Sequence, residues 1–258
     1  MSVIRSFFSA FLMYSRIPMP TVEWKEENRR YSLCFFPVCG IAIAAVLMLW
    51  QWLCINAGIG ELLFAAVCVA IPVVVTGGIH LDGFCDVCDA VASCASKEKM
   101  LQIMSDPHIG SFAAIRAGLY LILQLGIFSQ IKSMRLMLIC SLCFVVSRAL
   151  SGLAAVTFRS AKREGTLQQF VRPAHRVITV ICEICWITAV SAAALAIDAD
   201  LGIAAMIGMA VVLVYYRIFS YKKFGGITGD LAGYFLQLCE LAGPACAVAA
   251  DMLRRALL

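Results

Sequence analysis

Three aspartates, Asp82, Asp86 and Asp89, are the residues of this sequence best suited to chemistry, and they interrupt an otherwise apolar chain at 77–90, GGIHLDGFCDVCDA. Their spacing of four and three residues places them within about 60° of one helix face, so their charges would repel each other unless a cation neutralised them. Sets of oxygen ligands suit Mg²⁺ or Mn²⁺. Because carboxylates beside lipid are costly, we predict a Mg²⁺ site formed by all three, with Mn²⁺ as the alternative ion and a purely structural cluster as the competing interpretation.

Polar residues around the aspartates extend the predicted active-site segment to 77–111. Gly77 and Gly78 permit close approach of the backbone to a ligand, and His80 lies two residues before the first aspartate, so we predict substrate contacts for all three. Helix packing is the alternative role for the glycines. Asp106 is predicted to be a catalytic base or a further metal ligand; alternatively it caps the following helix, with proline at the first helical position.

Two charged residues lie inside apolar segments, where a partner or an anionic ligand is expected. Arg148, in FVVSRALSG, is the better candidate for binding and stabilising a phosphate, although it could instead extend to the membrane surface. Glu240 follows Cys239 in another apolar run. It is predicted either to contact substrate or to pair with an arginine such as Arg148.

A second polar segment, KKFGGITGD at 222–230, lies where the last apolar run begins. Backbone amides of such a glycine-rich turn can bind phosphate at a helix N-terminus. A simple connecting turn with an aspartate cap is the alternative. The substrate-binding residues predicted here are Lys222, Lys223, Gly226, Thr228, Gly229 and Asp230.

Long apolar runs must position these residues. The chain has 258 residues, of which 62% are hydrophobic and 14% charged. This composition predicts an all-α, polytopic membrane helical bundle of about six to seven transmembrane helices, because a helix satisfies its own backbone hydrogen bonds in lipid. The predicted spans are 33–55, 61–79, 112–131, 136–157, 177–197, 201–220 and 232–250.

The domain organisation is predicted to be simple. We predict a single integral membrane domain over residues 1–258, without a soluble module. The apolar stretch within 1–20 is too short to span and is predicted to form an interfacial or packed N-terminal helix. The thirteen cysteines include three C-x-x-C pairs, but two of these lie in apolar spans and none has a matching second ligand pair, so we expect neither zinc nor disulfides.

Basic residues predict the orientation. Alternating the spans puts 1–32, 80–111, 158–176 and 221–231 on one side, which holds fifteen lysines and arginines when Arg217 is included, against four on the other. That side is predicted to be cytoplasmic, in a multi-pass protein of the cell (inner) membrane, with the aspartates facing the cytoplasm. Membrane lipid is an expected partner, nucleic acid is not, and a homo-oligomer remains open.

Six motifs in consistent order resemble the cobalamin synthase family, the adenosylcobinamide-GDP ribazoletransferases, over nearly the full chain. The motifs are SRIPMP (15–20), FFPVCG (35–40), GGIHLDGFCDVCDAV (77–91), MSDPHIGSF (104–112), SRAL (147–150) and GGITGDLAG (225–233). One departure is Pro107-His108, where the family commonly has serine and arginine.

The resemblance implies the last step of cobalamin nucleotide loop assembly: adenosylcobinamide-GDP reacts with α-ribazole or its 5′-phosphate, releasing GMP. It implies Asp82 and Asp86 as metal ligands and Asp89 or Asp106 as base, with Arg148 and a lysine at 222 or 223 stabilising charge. A membrane CDP-alcohol phosphotransferase-like enzyme is the nearest enzymatic alternative, although its full signature is missing. A cation transporter is the alternative from another class.

Overall fold

The structure, a computed structural model, describes residues 2–257. Within that range the chain is helical, and its only β-type pairing is an isolated bridge between Ser160 and Ile227. The helices are α1 (Ser2–Tyr14), α2 (Glu26–Arg29), α3 (Phe36–Ala57), α4 (Glu61–Thr76), α5 (Ile79–Ala92), α6 (Lys97–Ile103), α7 (Ser111–Ser129), α8 (Met134–Thr157), α9 (Thr166–Val171), α10 (Arg176–Ile197), α11 (Ala199–Phe224) and α12 (Gly229–Leu257).

Six stretches are long and apolar enough to cross a membrane, and a seventh arises if α4 and α5 count as one bent span. The six comprise α3 with its N-terminal extension, α7, α8, α10, α11 and α12. The predicted polytopic helical bundle is therefore confirmed. The ends of the predicted spans lie within four residues of those of α3, α4, α7, α8, α10 and α11, whereas α12 continues seven residues past the predicted end at 250. One difference is that α5 turns by 95° from α4, so the chain changes direction where the predicted span 61–79 ends.

Local sequence explains where several helices begin and end. Gly58 adopts a left-handed conformation (φ 65°) directly after α3 and ends it, as glycine commonly does. The Ser133 hydroxyl accepts the Leu136 N–H at 3.1 Å and caps the start of α8. Asp198 caps α11 in the same way and also binds Arg254 at 2.8 Å, which ties that cap to the end of α12.

Helix α8 is the central helix of the bundle. Its buried side chains include Leu136, Ile139 and Phe144, all fully enclosed. Gly40 of α3 lies so close that a Cβ there would be 2.8 Å from the Cα of Val145. Small residues at such contacts let membrane helices approach closely and gain van der Waals energy. By contrast, α7 and α10 expose much apolar surface, as expected for helices that face lipid.

The loops predicted to share one side do meet at one end of the bundle. The Arg16 N–H donates to the Val75 carbonyl at 2.7 Å, and the His175 N–H donates to the Arg30 carbonyl at 3.1 Å. The chain at 159–161 pairs with 225–227. This end carries the residues that the sequence singled out.

Candidate active site

Two consecutive glycines set the direction of the acidic helix. Gly77 (φ 66°) ends α4 and Gly78 (φ 78°) begins α5, both in the left-handed region that residues with a Cβ rarely adopt. The side chain of Arg16 lies against Gly77, so a larger residue there would have to displace it. These glycines therefore shape the turn and do not line either of the two cavities that flank Asp230, described below.

A close crossing of α5 and α12 brings two polar segments together. A Cβ at Gly83 would lie 2.9 Å from the Cα of Asp230, and one at Gly233 would lie 2.9 Å from the His80 carbonyl oxygen. Only glycine permits backbones to approach this closely. The crossing places Asp230 beside the acidic face of α5.

The acidic face that results contains Asp82, Asp86 and Asp230. Helix α5 turns by 95° from α4 and lies at the end of the bundle that carries the polar loops, beyond the membrane-spanning part of α4. Burial raises the pKa of Asp86 to about 7, and the charges of Asp82, Asp230 and Asp89 add to the rise. Within residues 2–257 the carboxylates of Asp82 and Asp86 accept no hydrogen bond, so their oxygens are free for a ligand. No group of three His, Cys, Asp or Glu side chains among those residues is arranged to hold a metal ion by itself.

The carboxylate of Asp89 makes contacts that differ from those expected of a metal ligand. Its Oδ2 accepts the Gly110 N–H at 2.6 Å and its Oδ1 accepts the Ala113 N–H at 2.8 Å. Both donors belong to the start of α7, whose first amides have no acceptor within the helix. Asp89 is thus an N-terminal cap supplied from another helix, and both of its oxygens are engaged. This geometry competes with the predicted roles of metal ligand and base.

Asp106 lies outside both of the cavities that flank Asp230. Its Oδ1 accepts the His108 N–H at 3.0 Å and lies 2.7 Å from His108 Nδ1. The backbone bond and then the side-chain bond lower the pKa of Asp106, and the carboxylate is exposed to solvent. Asp106 therefore stabilises its own loop, and the structure does not bring it to the acidic face.

Arg148 and Glu240 form a buried ion pair. Arg148 Nη1 lies 2.6 Å from Glu240 Oε1, and the two side chains are 0% and 1% exposed. The alternative that Glu240 pairs with Arg148 is confirmed. Full burial competes with the prediction that Arg148 contacts a phosphate and Glu240 a substrate, because neither residue lines the cavities that flank Asp230.

Two cavities flank Asp230. The first, which we call the aromatic cavity, has a volume of about 320 Å³ and is lined in part by Tyr14, Phe36, His80, Phe170, Asp82 and Asp230. The second, the lysine cavity, has a volume of about 260 Å³ and is lined in part by Ser105, Lys162, Thr166, Thr228, Gly229 and Asp230. Thr166, Leu167, Gly229 and Asp230 form a wall that both cavities share.

The lysine cavity contains the basic residue that faces the carboxylates. Lys162 Nζ donates to Ser105 Oγ at 2.9 Å and lies near enough to Asp86 to oppose the rise in its pKa. Lys222 and Lys223, the predicted substrate contacts, are exposed in the last turn of α11 and line neither cavity. The loop that carries Lys162 was noticeably basic in sequence, but spacing did not distinguish this lysine from its neighbours.

The glycine-rich segment forms the start of α12. Gly226 is packed against residues 159–161, and its neighbour Ile227 donates its N–H to the Arg159 carbonyl at 2.9 Å. Thr228 Oγ1 accepts the Leu231 N–H at 3.2 Å and caps the helix. Gly226 is therefore structural, whereas Thr228, Gly229 and Asp230 line the lysine cavity as predicted substrate-binding residues would.

Glu183 is a buried carboxylate that the sequence reasoning missed. It is 0% exposed in α10, and neither oxygen has a hydrogen-bond partner among residues 2–257. It lies against Gly152, a residue that lines the aromatic cavity. A lone acidic residue in an apolar span was the available signal.

The fold and this site define a class, a polytopic membrane enzyme with carboxylates and a lysine around paired cavities. Comparison with known proteins makes the assignment specific: the model of the cobalamin-5-phosphate synthase family matches residues 6–248, and the chain belongs to that family. The predicted family is confirmed, as is the prediction that the chain is a transferase of cobalamin biosynthesis. Neither the phosphotransferase nor the transporter alternative gains support.

Individual relatives agree with the family match. A protein of Lachnoclostridium phytofermentans named adenosylcobinamide-GDP ribazoletransferase is 41% identical over 96% of this chain and 95% of its own length. Proteins of the same name from Treponema denticola and Clostridium botulinum are 31% and 29% identical, over 93% and 94% of this chain and 95% and 96% of their own lengths. No solved structure matches the chain.

Proposed function

We propose that this protein is a Mg²⁺-dependent transferase that joins α-ribazole, or its 5′-phosphate, to adenosylcobinamide-GDP and releases GMP. The product is adenosylcobalamin or its 5′-phosphate, and the reaction is the last step of nucleotide loop assembly. The relatives' name supplies the donor and the ribazole group. The observation that carries the proposal is that Asp82, Asp230 and Lys162 line two adjoining cavities, and that Asp86 lies near enough to all three for their charges to shift its pKa.

The reaction sets two physical requirements. A ribose hydroxyl of α-ribazole attacks the phosphorus that bears the cobinamide arm. One P–O bond forms to that hydroxyl oxygen, the bond from the phosphorus to the bridging oxygen breaks, and GMP leaves with the bridging oxygen. The hydroxyl proton passes to a base. The protein must therefore neutralise a diphosphate and align a hydroxyl group with it.

The carboxylates fit a magnesium ion by their chemistry. Asp82 and Asp86 offer oxygen donors that are free of hydrogen bonds within residues 2–257. Burial and then the neighbouring negative charges raise the pKa of Asp86, and a cation would offset both effects. Mg²⁺ is usually bound by one or two carboxylates together with substrate phosphates, so a complete set of protein ligands is not required. When bound, Mg²⁺ supplies charge neutralisation at the diphosphate.

The lysine cavity offers groups that can bind the phosphates of the donor, although the acidic residues Glu164 and Asp230 also line it. Lys162 provides a positive charge, and the first amides of α12, apart from that of Leu231, which Thr228 caps, carry a partial positive charge without an acceptor in the preceding turn. Thr166 adds a hydroxyl group on the shared wall. We assign the GDP diphosphate to this cavity.

Asp230 is the residue best placed to accept the hydroxyl proton. It lies on the shared wall and therefore faces both cavities. Asp89 has both oxygens engaged and Asp106 lies outside the cavities, so Asp230 replaces them as the proposed base. A carboxylate within reach of both substrates meets the geometric condition for general base catalysis.

The site is proposed to face the cytoplasm from the cell (inner) membrane, as the distribution of basic residues predicts. Cys94 tests this orientation because it is exposed just after α5, at the end of the bundle that carries the site. With the other exposed cysteine, Cys185, replaced by serine, a membrane-impermeant maleimide should label Cys94 in inverted vesicles but not in intact cells. Labelling in intact cells would reverse the orientation.

Purified protein in lipid nanodiscs, supplied with adenosylcobinamide-GDP and α-ribazole, tests the reaction through GMP release. We expect release to require Mg²⁺ and to fall on the order of a hundredfold in Asp86→Asn. Asp200→Asn, an exposed aspartate at the start of α11, is the matched control and should keep full activity. Undiminished release by Asp86→Asn, or release in excess chelator, would refute the metal assignment.

A further inference from the structure

The aromatic cavity has a composition that suits a flat, mostly apolar ring. The Tyr14 ring lies 4.2 Å from that of Phe36 and 5.4 Å from that of Phe170, measured between centroids. Apolar side chains, among them Met13 and Leu236, complete the lining. Cavities of this size and polarity bind small aromatic ligands through stacking and burial of apolar area.

His80, one of the residues that line the cavity, has an unsatisfied ring nitrogen. The residue lines the aromatic cavity and is 5% exposed, and its Nε2 has no hydrogen-bond partner among residues 2–257. An unpaired buried nitrogen is costly, and such groups in native proteins usually have a partner. A ligand with a single ring nitrogen would provide one.

The polar end of the cavity lies next to the proposed reaction centre. Asp82 follows His80 by two residues on α5 and lines the same cavity, as does Asp230 of the shared wall. A ligand whose ring lies near His80 would therefore direct its attached sugar towards the carboxylates.

We propose that the aromatic cavity holds the base of α-ribazole, which is dimethylbenzimidazole, stacked against Tyr14 and Phe170. His80 is then hydrogen-bonded to the free ring nitrogen, and the ribose lies at Asp82 and Asp230. This inference rests on the proposed function and adds the location of one substrate. The other base in the reaction, guanine, carries polar atoms around most of its edge. Buried against Met13 and Leu236, these atoms would remain unpaired, so guanine suits the cavity less well.

Filling the cavity tests its occupant. Ala232 of α12 lines the cavity and is half-buried, so Ala232→Leu should raise the KM for α-ribazole about tenfold or more and leave the KM for adenosylcobinamide-GDP unchanged. Ala249→Leu, an exposed position on the same helix, is the matched control. A rise in the KM for adenosylcobinamide-GDP instead would overturn the inference and assign the cavity to the donor, with the proposed reaction intact.

A second test uses an altered substrate. The riboside of dimethylindole lacks the free ring nitrogen, so with the unaltered enzyme its kcat/KM should be about tenfold below that of α-ribazole. His80→Phe should lose a similar factor with α-ribazole and nothing further with the indole analogue, whereas His80→Gln should recover part of the loss. If the loss caused by His80→Phe and the loss caused by the indole analogue multiplied when the two changes were combined, the proposed hydrogen bond would be refuted. Absence of GMP release from the unaltered enzyme would instead refute the proposed function itself.

Discussion

The same substitution at two aspartates three residues apart on α5 should affect two different properties of the protein. Asp89 holds the first amides of α7 with both oxygens, whereas the Asp86 carboxylate accepts no hydrogen bond within residues 2–257. Asparagine keeps the size of the side chain and removes its charge. Asp89→Asn should therefore lower stability, and Asp86→Asn should lower activity.

The stability that Asp89→Asn should lose follows from the two hydrogen bonds that Asp89 accepts. Bonds to a charged acceptor contribute about 1.5–3 kcal/mol each, and asparagine can still accept one of them, so the loss should be about 2 kcal/mol. For a chain of this length each kcal/mol lowers the Tm by roughly 2–4 °C, which predicts a decrease of about 4–8 °C. Asp86→Asn should leave the Tm unchanged or raise it, because the substitution removes a negative charge from a crowded set.

The buried cysteines of the chain allow the Tm of each variant to be measured. Nine of the thirteen cysteines are buried, so a dye that fluoresces on reaction with thiols follows unfolding of the solubilised protein. GMP release is then measured well below each variant's Tm. If Asp89→Asn abolished release without lowering the Tm, the assignment of Asp89 as a helix cap would be wrong and its predicted role as metal ligand or base would be restored.

Three further predictions follow from other contacts. Breaking the buried pair by Arg148→Met or Glu240→Gln alone should lower the free energy of unfolding by about 3–5 kcal/mol, while replacing both by Met and Leu restores most of it, as thermal unfolding would show. Gly83→Ala should push α5 away from Asp230 and reduce GMP release about tenfold or more; wild-type release would show that the close approach is unnecessary. Lys162→Met should raise the KM for adenosylcobinamide-GDP about tenfold with little effect on that for α-ribazole, and the reverse pattern would contradict the assignment of the lysine cavity.

The membrane helices were predictable because their signal is local. An uninterrupted apolar run fixes a span without any knowledge of its neighbours, and the predicted span 136–157 differs from α8 by only two residues at its start. The pairing of Arg148 with Glu240, 92 residues apart, also followed from sequence, since a buried charge requires a partner.

The details of the site depended on tertiary contacts that spacing does not encode. Helical periodicity correctly grouped Asp82, Asp86 and Asp89 on one helix, but the engagement of Asp89 arises from the start of α7, more than twenty residues later. Asp230 joins the acidic face because glycines let α12 cross α5 closely. Lys162 lies in a loop without periodicity, where nothing local distinguishes one basic residue from the next.

The aromatic cavity and the lysine cavity share a wall formed by Thr166, Leu167, Gly229 and Asp230. Binding in one cavity should therefore be coupled to binding in the other. A molecule bound on one side fixes the rotamers and charge state of residues that the other side also uses. Donor and acceptor should therefore alter each other's dissociation constants, and by an equal factor in both directions. Equilibrium titration of each substrate with the other absent and then saturating would measure that factor.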